Sequence, residues 1–278
     1  MTELALSISG DIQNALDHDE LELPSLPEVA LQVRDVAESE AVNANGLAAV
    51  VSKDPGLTAQ LVRIANSPMF RATRSIDDLS QAISRLGVEY SANIVTGLAM
   101  QQMFQATSEF VDRKLRQVWK NSTDVAAWSA IIAKNCKGLR PDQATLAGLT
   151  HCIGVLPILS WAEENDHILR DGLTLDRVIE SIHPTIGTMI LKHWNFTEEI
   201  TAVPEAYQSL TRQGSSPDYV DVVCVANLAN LMDTDHPLME EDWRQAPALT
   251  RVQFDPDLDD FERGELLEEV DAVKTVFR

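Results

Sequence analysis

The side chains with the most chemical reach in this sequence are two histidines, His151 and His183, 32 residues apart. Each opens a short stretch that ends in glycine: His151-Cys152-Ile153-Gly154 and His183-Pro184-Thr185-Ile186-Gly187. Neutral imidazoles are ligands for transition metals. A metal so held makes hydroxide near neutral pH and polarises phosphoryl oxygen. Cys152 is a soft donor that would complete a set of two histidines and one cysteine; the alternative is an inert buried thiol. The plainer role for the histidines is as core groups hydrogen-bonded to a buried amide or to backbone. Serine-type hydrolysis has no local signature, because no Gly-x-Ser-x-Gly occurs and no glycine-rich phosphate cradle is present.

Helices must hold these residues, because the apolar periodicity is helical nearly everywhere. Leu57, Leu61, Val62, Ile64 and Ala65 recur at three- and four-residue steps, as do Leu79, Ala82, Ile83 and Leu86, and Ile186, Met189, Ile190 and Trp194. The run Val220, Val222, Val223, Val225 could be a strand, but it continues into Ala226, Leu228, Ala229 and Leu231 and reads as a buried helix. Asp54-Pro55 and Pro141 mark helix starts, Asp77 or Asp78 can cap the helix ending at Leu86, and Gly87 supplies its stop. Pro204 should kink or end a helix running from Glu198 to Leu210. The five tryptophans sit mostly on apolar stripes and are expected in the core. The expectation is an all-α chain of about a dozen helices. Its parts are an N-terminal helical part over residues 1–112, a helical core over 113–235 and an acidic extension over 236–278. The apolar stripe of that extension, from Leu258 to Phe277, predicts a docked helix.

Charge narrows the partners. The chain has 278 residues with 22 Lys+Arg against 43 Asp+Glu, a formal net charge of −21. Such a chain repels phosphate backbones and anionic lipid unless a local patch overrides the mean. One segment does depart from the mean: residues 53–140 hold 12 basic and 7 acidic residues. Few aromatic residues accompany them, which weakens single-strand stacking, and the segment is read as a solvated surface paired with the acidic remainder. Nucleic acid is therefore not the expected partner. No apolar stretch of about 18 residues is found, no basic region of a signal peptide precedes Arg34, and three scattered cysteines make neither a disulfide framework nor a zinc ribbon. The expected compartment is the cytoplasm.

The N-terminal stretch carries a set of motifs in order. They are Leu23-Pro24-Ser25-Leu26-Pro27, Asp54-Pro55-Gly56-Leu57, Leu61-Val62-Arg63-Ile64-Ala65-Asn66-Ser67 and Gln81-Ala82-Ile83-Ser84-Arg85-Leu86-Gly87. In that order and spacing the chain resembles the HDOD domain, the HD-related output domain of bacterial signalling proteins, from about Leu23 to about Met232. Physically these are capping and packing elements. The prolines stiffen an extended lead-in, and Asn66 can take up orphan carbonyls at a helix end or turn left-handed.

The resemblance implies an HD-like core in the second half, where metal-dependent phosphohydrolases bind metal through histidines and aspartates. Position by position, the first histidine of that pattern is Asn121, in Trp119-Lys120-Asn121-Ser122. The His-Asp pair is His151-Cys152, and the His-Pro-x-x-Gly segment is intact at His183. The double histidine falls near Ala206-Tyr207-Gln208, with neither present, and the late aspartate is Asn227. Two imidazoles remain, and every carboxylate at the matched positions is gone. What the resemblance then implies is a degenerate pocket of Asn121, His151, Cys152, His183 and Asn227, with the histidines bonded to Asn121, Asn227 or backbone and no cofactor held. The function expected is a regulatory module that recognises an unidentified signalling protein or a small ligand. Two alternatives stand beside it. One is a metal-dependent phosphohydrolase with transition metal on His151 and His183. The other is nucleic-acid or nucleotide binding through the basic 53–140 segment, centred on Arg71 and Arg74.

Overall fold

The computed structural model describes residues 8, 10–12, 14–15, 18, 21–39, 43–67, 70, 75–165, 172–232 and 234–277. It is 72% helical, and no strand occurs among the described residues. The first helices are α1 (Glu28–Glu38), α2 (Ala44–Val51), α3 (Pro55–Ala65), α4 (Leu79–Leu86) and α5 (Val88–Ala99). Their ends follow from local chemistry. Asp54 accepts from Gly56 N and Leu57 N at the start of α3, and Asp78, rather than Asp77, caps α4 through Gln81 N. Gly87 joins α4 to α5 at φ 88°, a conformation that costs glycine little. Asn66 ends α3 without turning left-handed. Its amide donates to Val62 O and Ile76 O and accepts from Ile76 N, pinning the loop ahead of α4. The apolar run from Ile94 to Phe104 is not one helix: it tightens to a 3-10 turn at Met100–Met103.

The core of the second half is built by α6 (Glu109–Lys134), α7 (Pro141–Thr150), α8 (Val155–Glu164), α9 (Gly172–His193) and α12 (Tyr219–Leu231). Residues 112 and 113, where a boundary was expected, lie inside α6, near its start. α6 packs closely on α7, because a Cβ at Gly148 would stand 2.5 Å from Ala126 Cα. The valine-rich run 220–225 is the buried helix α12. The stretch Glu198–Leu210 breaks into α10 (Glu198–Thr201) and α11 (Val203–Ala206), with Pro204 in the first turn of the second piece. Four of the tryptophans are buried, and Trp161 is partly so.

One expectation is corrected here. Pro141–Glu164 is long and apolar enough to cross a membrane, with a mean hydropathy of 1.4 over its best window, but 89% of that window is buried inside the fold. Its apolar content serves contacts with α5, α6 and α12.

The C-terminal residues form α13 (Pro247–Val252) and α14 (Asp260–Phe277). α14 docks as its stripe predicts. Val270, Val273 and Phe277 are buried, while Phe261 stays exposed. It lies on α6 and α3, both within the basic segment, and Lys134–Glu269 and Lys274–Asp124 pairs tie it there.

Candidate functional site

The turn 151–154 between α7 and α8 brings His151 and Cys152 up to His183 on α9. The approach depends on glycine. A Cβ at Gly154 would lie 2.0 Å from His183 O and 2.5 Å from Gly187 N, and a Cβ at Gly187 would lie 3.0 Å from Pro204 Cβ. The glycines that close the two histidine motifs thus let the start of α8 meet α9 backbone to backbone and let the Pro204 ring of α11 close on α9. No described side chain larger than hydrogen fits at residue 154.

Tyr207, just past α11, packs against both histidines. Its ring meets His151 edge to face at 4.9 Å between centroids and stands 6.3 Å from His183. Its hydroxyl lies 3.8 Å from Cys152 Sγ and accepts from Gln208 Nε2 at 2.9 Å. An aromatic ring therefore occupies the neighbourhood of the chain where the HD-type pattern carries its double histidine.

Burial sets the protonation of all four groups. His151 is fully buried, which lowers its pKa to about 4 against the opposing effect of its bond to Gly148 O. Burial, aided by His151, lowers His183 to about 3. Burial pushes the Cys152 thiol up to about 12 and the Tyr207 phenol well above its ordinary value. At neutral pH the cluster carries no charge.

Of the partners expected for the histidines, the backbone one forms: His151 Nδ1 donates to Gly148 O at 2.6 Å. A carbonyl only accepts, so the proton sits on Nδ1 and the lone pair on Nε2. Among the described residues, that Nε2 and His183 Nδ1 are buried without a hydrogen-bond partner, which corrects the expectation that the histidines are fully satisfied. Asn121 is engaged elsewhere, accepting from Asn230 Nδ2 at 3.0 Å across α6 and α12. Asn227 is buried one turn before Asn230. Arg71 and Arg74 lie outside the described residues.

The chain was then compared with known proteins. A family model of the HDOD domain matches residues 23–209. The chain belongs to the HDOD domain family. The HDOD match stops short of Met232, so α12 lies beyond it. Among solved structures, a Shewanella amazonensis SB2B protein provisionally called a metal-dependent phosphohydrolase superposes with a TM-score of 0.87. It is 26% identical, with 100% of both chains covered. An HDOD protein of unknown function from Geobacter sulfurreducens has a TM-score of 0.65 at 19% identity, covering 99% of this chain and 97% of its own. A Treponema pallidum (strain Nichols) protein without a characterised role is 23% identical over 250 residues, covering 83% of this chain. The alignment takes in 44% of that relative's length.

The HD-type metal does not fit this site. Catalytic zinc takes three protein ligands, and among the described residues no group of three His, Cys, Asp or Glu side chains is placed to hold a metal. Two features of the site escape sequence reasoning. Nothing local marks Tyr207 as the residue that packs on the histidines. Nor does anything local mark Trp194, whose Nε1 donates to Pro24 O at 2.9 Å and fastens the Leu-Pro-x-Leu-Pro lead-in to the end of α9. Arg34 of α1 donates to Trp194 O and Asn195 O beside it.

Proposed function

We propose that this chain is a non-catalytic regulatory module of bacterial signal transduction, acting in the cytoplasm by binding a partner protein or a small ligand. The observation that carries this reading is Tyr207, whose ring packs against His151 at 4.9 Å and lies 6.3 Å from His183, with its hydroxyl bonded to Gln208 beside a neutral Cys152. A hydrolytic centre needs an open coordination position for water, and a ring packed on the fully buried His151 argues against one.

A second reading draws on a specific observation. His151 has its Nδ1–H on a backbone carbonyl and a free lone pair on Nε2, the arrangement of metal-binding histidines in general. The relative provisionally called a phosphohydrolase points the same way. Against it stand the missing third ligand and the neutral surroundings. Nucleic-acid binding through residues 53–140 is disfavoured because the acidic helix α14 lies over two helices of that segment.

Metal content per chain decides between the first two readings, measured on untagged protein with a His151→Ala, His183→Ala double variant alongside. The regulatory reading expects wild type to stay metal-free when Mn, Fe or Zn is offered and to leave phosphodiester substrates intact. Near-stoichiometric metal in wild type, lost in a folded double variant, overturns it.

A further inference from the structure

A cavity of about 240 Å³ opens between α1, α5, α7 and the connection after α9, and it shares no lining residue with the histidine cluster. It exceeds the roughly 30 Å³ share of a single water about eightfold and falls below the roughly 300–1,000 Å³ of drug-sized pockets.

The wall states the charge of the occupant. Arg34 and Glu38 come from α1, Glu89 from α5, and Arg140 from the start of α7. Arg140 pairs with Glu89 and, behind the wall, with the buried Asp142. Arg34 lies 3.7 Å from Glu38 and stacks at 4.7 Å over Phe196, another wall residue. Both guanidinium groups already have partners, Arg34 in Trp194 O and Asn195 O and Arg140 in Glu89 and Asp142, so an occupant must share them. A lone anion would also meet Glu38 and Glu89 and a lone cation both guanidinium groups, whereas a molecule carrying both charges can join each existing pair. Ala92, Leu146 and Ile200 add an apolar surface for a side chain. Thr96 also lines the cavity and is 1% exposed.

We infer that this cavity binds a small zwitterion of the free α-amino acid class, its carboxylate toward Arg34 and Arg140 and its ammonium toward Glu38 and Glu89. The walls come from both halves of the chain, α1 and α5 on one side and α7 with residues 195–200 on the other. Occupancy would clamp those halves together, which is how a small molecule could set the state of a regulatory module. The inference rests on the regulatory reading for its purpose, but not for its chemistry.

The test is calorimetric titration of the full chain with each standard free amino acid, and with the methyl ester and N-acetyl form of whichever binds. At least one amino acid should bind with Kd below about 1 mM, and either blocked form should lose about tenfold or more. Gln143→Trp, which fills the cavity from its wall, should abolish binding in a protein of unchanged helicity. No binding by any amino acid overturns the inference. So does equal binding of the blocked forms, of acetate or of inorganic phosphate, which makes the cavity an anion site, and so does full binding by folded Gln143→Trp. Metal content and phosphodiester turnover, read on the same samples, report on the histidine site alone, so the two ideas fail separately.

Discussion

Tyr207 and His151 meet at right angles, ring centroids 4.9 Å apart and planes 82° to one another. The pair is 56 positions apart in the chain, and its contact packs an aromatic ring on a fully buried imidazole. Replacing the ring with a ligand should reverse this. Tyr207→His supplies a third imidazole near His151 and His183, and should take up about one zinc per chain where wild type takes none. Elemental analysis after dialysis checks it. If wild type already loads to the same level, Tyr207 is not what closes the site. Tyr207→Ala should bind no metal and lose about 3–5 kcal/mol, the usual cost of removing a buried aromatic side chain.

Acid should find the same cluster. Both histidines have folded pKa values below their ordinary 6.5, His151 about 4 and His183 about 3. The unfolded chain therefore binds more protons than the folded one below pH 6.5, and stability falls as pH falls from there toward 4 and 3. At 1.36 kcal/mol per unit, His151 alone accounts for a loss on the order of 3 kcal/mol. Denaturant melts at pH 7 and pH 5 should show about 2 kcal/mol of it, the rest following toward pH 4. His183→Gln should lessen the difference between the two pH values. An unchanged pH dependence in that variant would place the acid sensitivity elsewhere.

The glycine that closes the first histidine motif makes a sharper prediction. Gly154→Ala would put a methyl 2.0 Å from His183 O and 2.5 Å from Gly187 N, both backbone atoms that no side-chain rotation can move away. The expected cost is about 3 kcal/mol, at the upper end of ordinary overpacking. Gly264→Ala, on α14 with nothing within 4 Å, should instead be neutral or stabilising by up to about 1 kcal/mol, because it removes a flexible residue from a helix. Thermal melts of the two variants give the contrast; equal effects would mean the α8–α9 contact yields easily.

Residues whose partners are near in sequence were the legible ones. Asp54, Asp78, Gly87 and Pro204 act within a few positions, so helix ends could be read directly. Asn121, Cys152 and Asn227 can be read in the sequence at the positions where the resemblance implies metal ligands. The ring that packs beside the histidines cannot. Tyr207 looks like any half-apolar residue at a helix end until the fold brings it to His151. The bond from Trp194 to Pro24 spans 170 positions, and one tryptophan on an apolar stripe reads like another. Asn121 was assigned to the histidines because the pattern put them in one pocket, but another amide, Asn230, competes for it from α12.

Asp221 is the opposite case, a carboxylate that sequence alone files with the solvated charges. It is 1% exposed, and Arg251 grips it with Nε and Nη2, both at 2.6 Å, while Arg212 Nη1 adds a third bond at 2.8 Å. Arg251 Nη2 also donates to Arg212 O, so α13, α12 and the loop before α12 close on one acid. Removing its charge leaves a poorly exposed guanidinium without a counter-ion, and breaking such a pair costs about 3–5 kcal/mol. Asp221→Asn should therefore lower stability by about that amount and speed amide exchange in α13. Pairing it with Arg251→Met should recover part of the loss, because the uncompensated charge goes with the arginine. If the double variant is less stable than the single by the full cost of Arg251→Met alone, the two residues act independently, and the ion pair is not what holds α13 in place.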